Sequence, residues 1–251
     1  MGGAGLYQYI VGFLVIITFT LGGEIIYGLA YLQDKENITI ICNFKDGSVD
    51  KCNKDTACDP DRTLSYYFDT KHGRTNFITE DPSSLCLSDT KLGLEGTFYF
   101  IGFLVGSIVW MRLTDFVGRK WMIFSGYIAH IVIQLIYLID FSTTSIYIAM
   151  FFFGLKTPLT TSLSYLMLLE IVGPSYRATA CAINSVLDGT TNLWLPLLHQ
   201  FGKSWWILYW LNIGQAFLLI IPLLIFVKES PKFLVSVKKF MQAKQVYSCI
   251  A

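Results

Sequence analysis

The sequence predicts an all-α polytopic membrane protein with six transmembrane helices and one polar loop that bears cysteines. Hydrophobic residues make up 53% of the 251 residues and charged residues only 15%, and the mean hydropathy is +0.51. Of the 19 Lys and Arg and the 18 Asp and Glu, 20 fall between positions 33 and 95. This composition excludes an ordinary soluble enzyme and a disordered chain. The net charge of +1 offers no basic field to nucleic acid.

Six apolar segments have about the length, roughly 20 residues, that a helix needs to cross the hydrocarbon core of a bilayer. Unpaired backbone groups are costly in lipid, so such segments are expected to be helical. The predicted spans are 6–31, 96–111, 121–139, 146–169, 178–198 and 205–227. The chain therefore divides into a first helix (1–32), a loop domain (33–95), five further helices (96–227) and a terminal segment (228–251).

The basic residues of the short loops predict the orientation. Arg112, Arg119 and Lys120 lie between the second and third spans, Arg177 lies between the fourth and fifth, and five lysines follow the sixth. On the opposite side, Lys203 is the single basic residue of the short loops. Because basic loops stay in the cytoplasm, both termini are predicted to be cytoplasmic and the loop domain to lie outside the cell or in a lumen.

The loop domain carries four of the six cysteines, Cys42, Cys52, Cys58 and Cys86. In a polar, non-cytosolic segment they indicate two disulfides, and three pairings stay open. Zinc binding is the rival interpretation, but the spacing contains no CxxC pair. Asn37 begins a glycosylation sequon, which also favours the non-cytosolic side.

The most specific motif lies in the loop between the second and third spans. It reads Gly106-x8-Asp115-x2-Gly118-Arg119-Lys120. This motif resembles the signature loop of the major facilitator superfamily, G-x8-D-R-x-G-R-R/K. Glycines at 102 and 106 permit close approach of a second helix, and Asp115 is expected either to cap the next helix or to pair with a base.

Four further matches narrow the resemblance. They are, in chain order, Gly2-x2-Gly5-x2-Gln8, Cys86, Glu170-x6-Arg177 and Glu229-Ser230-Pro231-Lys232-Phe233-Leu234. Together they resemble the organic cation/anion transporter branch, whose members carry a cysteine-rich glycosylated loop after the first span. Three positions depart from the family pattern: Met111 stands where glycine is usual, Phe116 where arginine is usual, and Lys228 where proline is usual.

Members of the superfamily have twelve helices in two halves, and this chain resembles the amino-terminal half. The resemblance implies that 228–251 begins the cytoplasmic helix that connects the halves. We therefore expect a fragment, a split gene product or a half-length descendant, with a second six-helix half or other membrane subunits as its partner.

Three charged residues, Glu24, Lys156 and Asp188, lie inside predicted spans. A charge near the bilayer centre costs at least about 2.5 kcal/mol, so such residues are functional candidates. The resemblance implies that their spans line a central cavity and adds Tyr165 as a cavity aromatic, while Asn184 lies one turn before Asp188. These five residues are predicted to bind a small organic ion. In the alternative, Lys156 pairs with Glu24 or Asp188 and only fixes helix packing.

Another predicted set lies at the cytoplasmic helix ends and is called the latch below. The resemblance implies that it holds the outward-open state through charge pairs, each worth about 0–1 kcal/mol when exposed. The predicted latch residues are Asp115, Gly118, Arg119, Lys120, Glu170, Arg177 and Glu229.

The predicted function is that of the amino-terminal half of a secondary transporter that moves small organic ions by alternating access. The alternative is a transporter-derived structural subunit of a larger membrane complex. The sequence has no Gly-rich phosphate loop, nucleophile motif or clustered histidines, so we expect no enzymatic activity, no cofactor and no metal. Disulfides and a glycan favour the plasma membrane or an endomembrane, and the mitochondrial inner membrane is the alternative.

Overall fold

The computed structural model describes residues 5–33, 38–69, 75–80, 82–139, 142–202 and 204–250. Asn37, the predicted glycosylation site, and Lys203 lie outside these residues. Two short 3-10 turns, Pro82–Cys86 and Pro174–Tyr176, connect longer elements. The helices and strands are α1 (Leu6–Leu32), β1 (Ile40–Phe44), β2 (Val49–Cys52), α2 (Lys54–Ala57), β3 (Thr63–Phe68), α3 (Phe77–Glu80), α4 (Asp89–Val117), α5 (Arg119–Ile139), α6 (Thr143–Thr160), α7 (Ser162–Ile171), α8 (Arg177–Gly202), α9 (Trp206–Phe226), α10 (Pro231–Ser236) and α11 (Phe240–Ile250).

Five helical segments of the described chain are long and apolar enough to cross a membrane. They are Leu6–Leu29, Asp89–Val117, Arg119–Ile139, Thr143–Ile171 and Trp206–Phe226. The remaining predicted span, 178–198, lies in α8, which has the necessary length of 26 residues. Polar residues such as Asn184 and Asp188 lower the hydropathy of α8, and this helix packs along α1. The bundle is thus helical as predicted, and α8 is its most polar long helix.

The fourth predicted span consists of two helices that meet at Thr161. Pro158 lies inside α6 and removes one main-chain hydrogen bond of the helix, which favours a bend. Thr161 ends α6 with φ −96° and ψ −71°, and α7 begins at the next residue. The bend exposes the side chains around Thr161 to a cavity described below.

Glycines hold α4 and α6 in close contact. A Cβ atom at Gly102, Gly106 or Gly154 would overlap the main chain of the facing helix. Trp110 Nε1 also donates a hydrogen bond of 2.7 Å to the carbonyl oxygen of Leu155. The expected close helix approach is therefore present, and a glycine of α6 contributes to it from the opposite side.

The loop domain folds around a small antiparallel sheet with strand order β2-β1-β3. The turn between β1 and β2 contains Gly47 at φ +85°. In the same turn Asp46 accepts hydrogen bonds from the backbone N–H and the hydroxyl of Ser48, and these bonds lower the pKa of the Asp46 carboxyl. The sheet is a finding that the prediction of an all-α chain did not include.

Two disulfides close the loop domain. Cys42 pairs with Cys52, which joins β1 to β2, and Cys58 pairs with Cys86, which lies 28 residues later. Of the three pairings that the sequence left open, the structure contains this one. Cys42 and Leu85 are fully buried in the small apolar core of the domain.

The interior of the helical bundle has two apolar clusters separated by a polar layer. The cluster at the latch end includes Leu21, Tyr127, Leu159 and Ala216. The cluster at the outer end includes Ile25, Ile133, Phe153 and Leu208. Between them lie buried polar residues of four helices, among them Glu24 of α1, His130 and Gln134 of α5, Lys156 of α6 and Asn212 of α9. The polar layer therefore lies near the middle of the bundle.

Candidate functional site

A cavity of about 230 Å³ opens beside the polar layer, where α1, α4, α8 and the bend between α6 and α7 meet. We call it the Asp188 cavity. Its lining combines aromatic, small and hydroxyl-bearing side chains with one carboxylate. The lining residues are Phe19, Gly22, Gly23, Ile26, Tyr27, Tyr99, Phe103, Thr157, Thr161, Ser162 and Asp188.

Asp188 is the one charged residue among the described residues that line this cavity. Tyr27 donates a hydrogen bond of 3.1 Å from its hydroxyl to Asp188 Oδ2. The other carboxylate oxygen, Oδ1, would lie 3.3 Å from a Cβ atom at Gly23. Because Gly23 has no side chain, the ring of Tyr27 fits beside Oδ1, with a ring carbon 2.6 Å from that Cβ position.

Aromatic rings surround the carboxylate. The rings of Tyr99 and Phe103 have centroids 6.3 Å apart, and the ring of Phe19 lies 6.3 Å from that of Tyr165. Tyr165 is not part of the cavity lining, and its hydroxyl donates to Cys181 Sγ at 3.1 Å. Aromatic faces around a carboxylate form an environment suited to an organic cation.

Glu24 and Lys156 lie behind the cavity and not on its surface. Each is only 3% exposed, and neither belongs to the cavity lining. The Glu24 carboxylate accepts hydrogen bonds from the side chains of Asn212 and Gln215 and interacts electrostatically with Lys156. The structure thus separates Asp188 from the two other charged residues that the sequence grouped with it.

Within the polar layer, Lys156 of α6 also contacts His130 of α5. Lys156 Nζ lies 2.8 Å from His130 Nδ1 and 4.2 Å from the ring centroid of Phe153. An ammonium group can only donate, so His130 accepts at Nδ1 and carries its proton on Nε2. Gln134 lies 3.5 Å from that Nε2 through its amide nitrogen. A rotation of this amide by 180° would bring its oxygen into the acceptor position.

Asn184 lies one turn before Asp188 but points to a different environment. It is 2% exposed, and its Oδ1 atom has no hydrogen-bond partner among the residues that the structure describes. It is not part of the cavity lining. Of the five predicted substrate-binding residues, Asp188 alone belongs to the cavity lining.

The latch is built around the first turn of α5. The Glu229 carboxylate accepts hydrogen bonds from the backbone N–H groups of Arg119 at 2.8 Å and Lys120 at 3.3 Å, so it caps α5 from a distant part of the chain. Gly118 has φ +106°, and a Cβ atom there would lie 2.6 Å from Glu229 Oε2. Glycine is required at this position both for its backbone conformation and for the approach of Glu229.

A buried ion pair forms the second part of the latch. Arg119 Nε lies 2.8 Å from Glu170 Oε2, and the two side chains are 11% and 4% exposed. The N–H of Arg119 Nε is not aligned for a hydrogen bond, so the contact is a charge pair. The Ser230 hydroxyl donates to the same Glu170 oxygen. Asp115, by contrast, is 71% exposed and lies 4.0 Å from Arg119.

The remaining latch positions differ in their contacts. Lys120 Nζ donates a hydrogen bond of 2.7 Å to the carbonyl oxygen of Leu224, which ties α5 to α9. The Nε atom of Arg177 is buried without a hydrogen-bond partner in the described part of the chain. Phe116, where relatives usually have arginine, is 81% exposed.

Sequence reasoning missed two residues of interest. Tyr27 lies in the first predicted span, one turn after Gly23. Its hydroxyl group within an apolar segment was the one feature of the sequence that could have indicated a functional role. Glu95 was assigned to the polar loop, but α4 begins at Asp89 and Glu95 is only 3% exposed within it. A carboxylate next to the apolar run of α4 was the available signal.

Three known proteins are similar to this chain in sequence. Solute carrier family 22 member 4 of Mus musculus is 24% identical over 170 residues, which are 67% of this chain and 31% of that protein. The organic cation transporter-like protein of Drosophila melanogaster is 26% identical over 187 residues, 73% of this chain and 30% of that protein. Solute carrier family 22 member 15 of Xenopus tropicalis is 25% identical over 160 residues, 62% of this chain and 29% of that protein.

The chain spans about 30% of the length of the curated relatives it matches. These relatives confirm the resemblance to the organic cation transporter-like branch that the sequence motifs indicated. The sequence model of the Major Facilitator Superfamily matches residues 62–246, which include most of the helical bundle and part of the loop domain. The chain therefore belongs to the major facilitator superfamily.

Proposed function

We propose that this chain is the amino-terminal half of a secondary transporter that moves small organic cations by alternating access. The observation that supports a cation most directly is the Asp188 cavity, in which one carboxylate stands among aromatic rings and no Lys or Arg belongs to the described lining. The name of the Drosophila melanogaster relative, organic cation transporter-like protein, is consistent with a positively charged substrate.

In this proposal an organic cation binds against Asp188 Oδ1 and packs on the rings of Tyr27 and Tyr99. The carboxylate and the ring faces attract the positive charge more strongly in the membrane interior than they would in water. Tyr27 keeps its hydrogen bond to Oδ2 and holds the carboxylate in place. The cavity is open on one side, and the second half of the transporter would supply the missing wall.

The other four predicted substrate-binding residues receive indirect roles. Tyr165 supports the Phe19 wall of the cavity through ring contact. Glu24 and Lys156 join α1, α5, α6 and α9 through the polar layer, which would let these helices move as one body. Asn184, buried one turn before Asp188, would orient α8 beside the cavity.

The latch would set the conformational equilibrium of the two halves. Arg119 and Glu170 are shielded from water, so their attraction is screened less by salt than that of the exposed pairs that the sequence suggested. Opening this end of the bundle would require the Arg119–Glu170 pair to break, which favours the state in which this end is closed.

Uptake of radiolabelled tetraethylammonium into vesicles tests the proposed function. We expect saturable uptake when the chain is co-reconstituted with a second six-helix half, and none when the chain is reconstituted alone. Saturable uptake by the chain alone would contradict the need for a second half.

Absence of uptake with every second half tested, together with stable co-purification with unrelated membrane proteins, would favour the structural-subunit alternative. An aryl sulfonate of similar size serves as the anionic control and should not be transported. Its transport in place of the ammonium compound would contradict the proposed sign of the substrate charge.

A further inference from the structure

A second cavity, of about 370 Å³, lies at the latch end of the bundle between the end of α4, the start of α5, α10 and α11. Apolar side chains of Phe116, Trp121, Phe233 and Val237 line it together with Lys239. We call it the basic groove. The predicted orientation places it at the cytoplasmic boundary of the membrane.

Two apolar side chains of the basic groove are largely exposed to solvent. Phe116 is 81% exposed and Trp121 is 55% exposed. On the adjoining helix Phe240 and Met241 are 61% and 78% exposed. Exposed apolar side chains at a membrane boundary are expected to contact acyl chains or a partner.

The segment that follows Ser230 carries charges of one sign. From Pro231 to the end of the sequence there are four lysines, Lys232, Lys238, Lys239 and Lys244, and no Asp or Glu. All four lysines are exposed. Such a cluster next to the cytoplasmic end of a transmembrane helix is typical of a segment that binds anionic lipid headgroups.

The turn between α10 and α11 orients two of these lysines. Lys238 has φ +60° and is the one non-glycine residue with positive φ in the described chain. The next N–H, that of Lys239, donates to the carbonyl oxygen of Leu234 at 2.8 Å, which closes the turn beside the basic groove. Glycine would adopt this left-handed conformation at lower cost, so the lysine side chain is present despite a backbone penalty.

The one carboxylate that lines the groove does not neutralise it. Glu229 accepts hydrogen bonds from the backbone N–H groups of Arg119, Lys120 and Ser230. Its charge is thus directed to the start of α5. The lysines therefore determine the sign of the potential at the groove.

We propose that the basic groove binds one anionic phospholipid of the cytoplasmic leaflet. An acyl chain lies against Phe116, Trp121 and Val237, and the lipid phosphate pairs with Lys238 and Lys239. A zwitterionic lipid would satisfy the apolar surface but not the surplus of four positive charges. This inference does not depend on transport activity or on the identity of the transported ion.

The test measures binding of fluorescent phosphatidylserine to the purified full chain in mild detergent by fluorescence anisotropy. Unlabelled phosphatidylserine should displace it, whereas phosphatidylcholine should not. The triple variant Lys238→Gln, Lys239→Gln and Lys244→Gln should bind about 100-fold more weakly at low salt, since each lysine near a lipid surface contributes about fivefold.

Two further variants keep the result interpretable. The matched triple variant Lys45→Gln, Lys51→Gln and Lys91→Gln removes the same charge from exposed positions at the opposite end of the molecule, and it should bind as the unmodified chain does. Phe116→Asn, which alters an exposed side chain and no charge, should weaken binding several-fold. Unchanged thermal unfolding midpoints establish that each variant is folded.

Three outcomes would overturn the proposal. They are equal affinity for phosphatidylserine and phosphatidylcholine, equal loss of binding in the two triple variants, and displacement by soluble glycerophosphoserine at the same concentration as by the lipid. The last result would show a headgroup site without any contribution from the apolar groove.

Discussion

At the scale of single residues, Glu24 and Lys156 place opposite charges inside the bundle on different helices. Both are surrounded by groups that can compensate them: two side-chain amides for the carboxylate and an imidazole nitrogen for the ammonium. Burial of an isolated charge would cost several kcal/mol, whereas a paired and hydrogen-bonded charge is tolerated. Each of the two buried charges is therefore expected to be tolerated because the other is present.

We expect Lys156→Met to destabilise the chain by about 3–5 kcal/mol, because the change leaves Glu24 buried without its counter-charge. The double variant Glu24→Gln with Lys156→Met should regain most of this loss, since both charges are then absent. Unfolding of the detergent-solubilised variants by increasing SDS measures the difference. Additive effects of the two substitutions would show that the residues are energetically independent.

The sequence identified the charged residues of the interior because a charge within an apolar span is conspicuous. It could not tell which of them share a cavity, because Glu24 and Asp188 are on different helices and their facing depends on the packing of α1 against α8. The capping of α5 by Glu229 was equally hidden, since 110 positions separate Glu229 from Arg119. Local spacing favoured Asp115 as a candidate cap, and tertiary structure supplies a different carboxylate.

At the scale of elements, the contact of α4 with α6 depends on glycines whose main chains touch. Glycine lowers the intrinsic stability of a helix relative to alanine, so its retention at Gly102 and Gly106 reflects the close approach. Gly96 of the same helix has nothing within 4 Å of its Cβ position. The two kinds of glycine in α4 thus have opposite expected responses to substitution.

Gly102→Ala should destabilise the chain by about 1–3 kcal/mol, because the new methyl group overlaps the main chain of α6. Gly96→Ala is the matched control in the same helix and should stabilise it by about 0.5–1 kcal/mol. The same SDS unfolding assay reports both changes. If the two substitutions shift the unfolding midpoint in the same direction, the close contact between α4 and α6 is not present in the membrane protein.

The predicted spans match the helices where apolar runs are long, and they differ where polar residues or short strands intervene. α8 falls below the hydropathy expected of a span because it presents Asp188 to a cavity. The break at Thr161 was not predicted, although Pro158 offered a signal. The three short strands of the loop domain were missed because the disulfides and the two helices packed beside them, not a long alternating pattern, stabilise the sheet.

At the scale of the whole molecule, the bundle has a closed interior, and the Asp188 cavity opens beside it. The polar layer and the two apolar clusters complete the interior of the bundle, and the latch joins α5, α7 and the segment after α9 at one end. The Asp188 cavity, by contrast, has walls from this chain on one side. In the proposed transporter a second bundle would complete this cavity, and this chain spans about 30% of the length of each relative.

Binding of tetraethylammonium to the purified chain tests the central claim, that the Asp188 cavity recognises an organic cation, most directly. Isothermal titration in detergent should show binding by the unmodified chain and a loss of at least about thirtyfold in affinity for Asp188→Asn, because removing one partner of a shielded charge pair costs about 2 kcal/mol or more. Asp61→Asn, in the exposed part of the loop domain, removes the same charge and should leave the affinity unchanged. Equal affinities of the unmodified chain and the Asp188→Asn variant would contradict the claim.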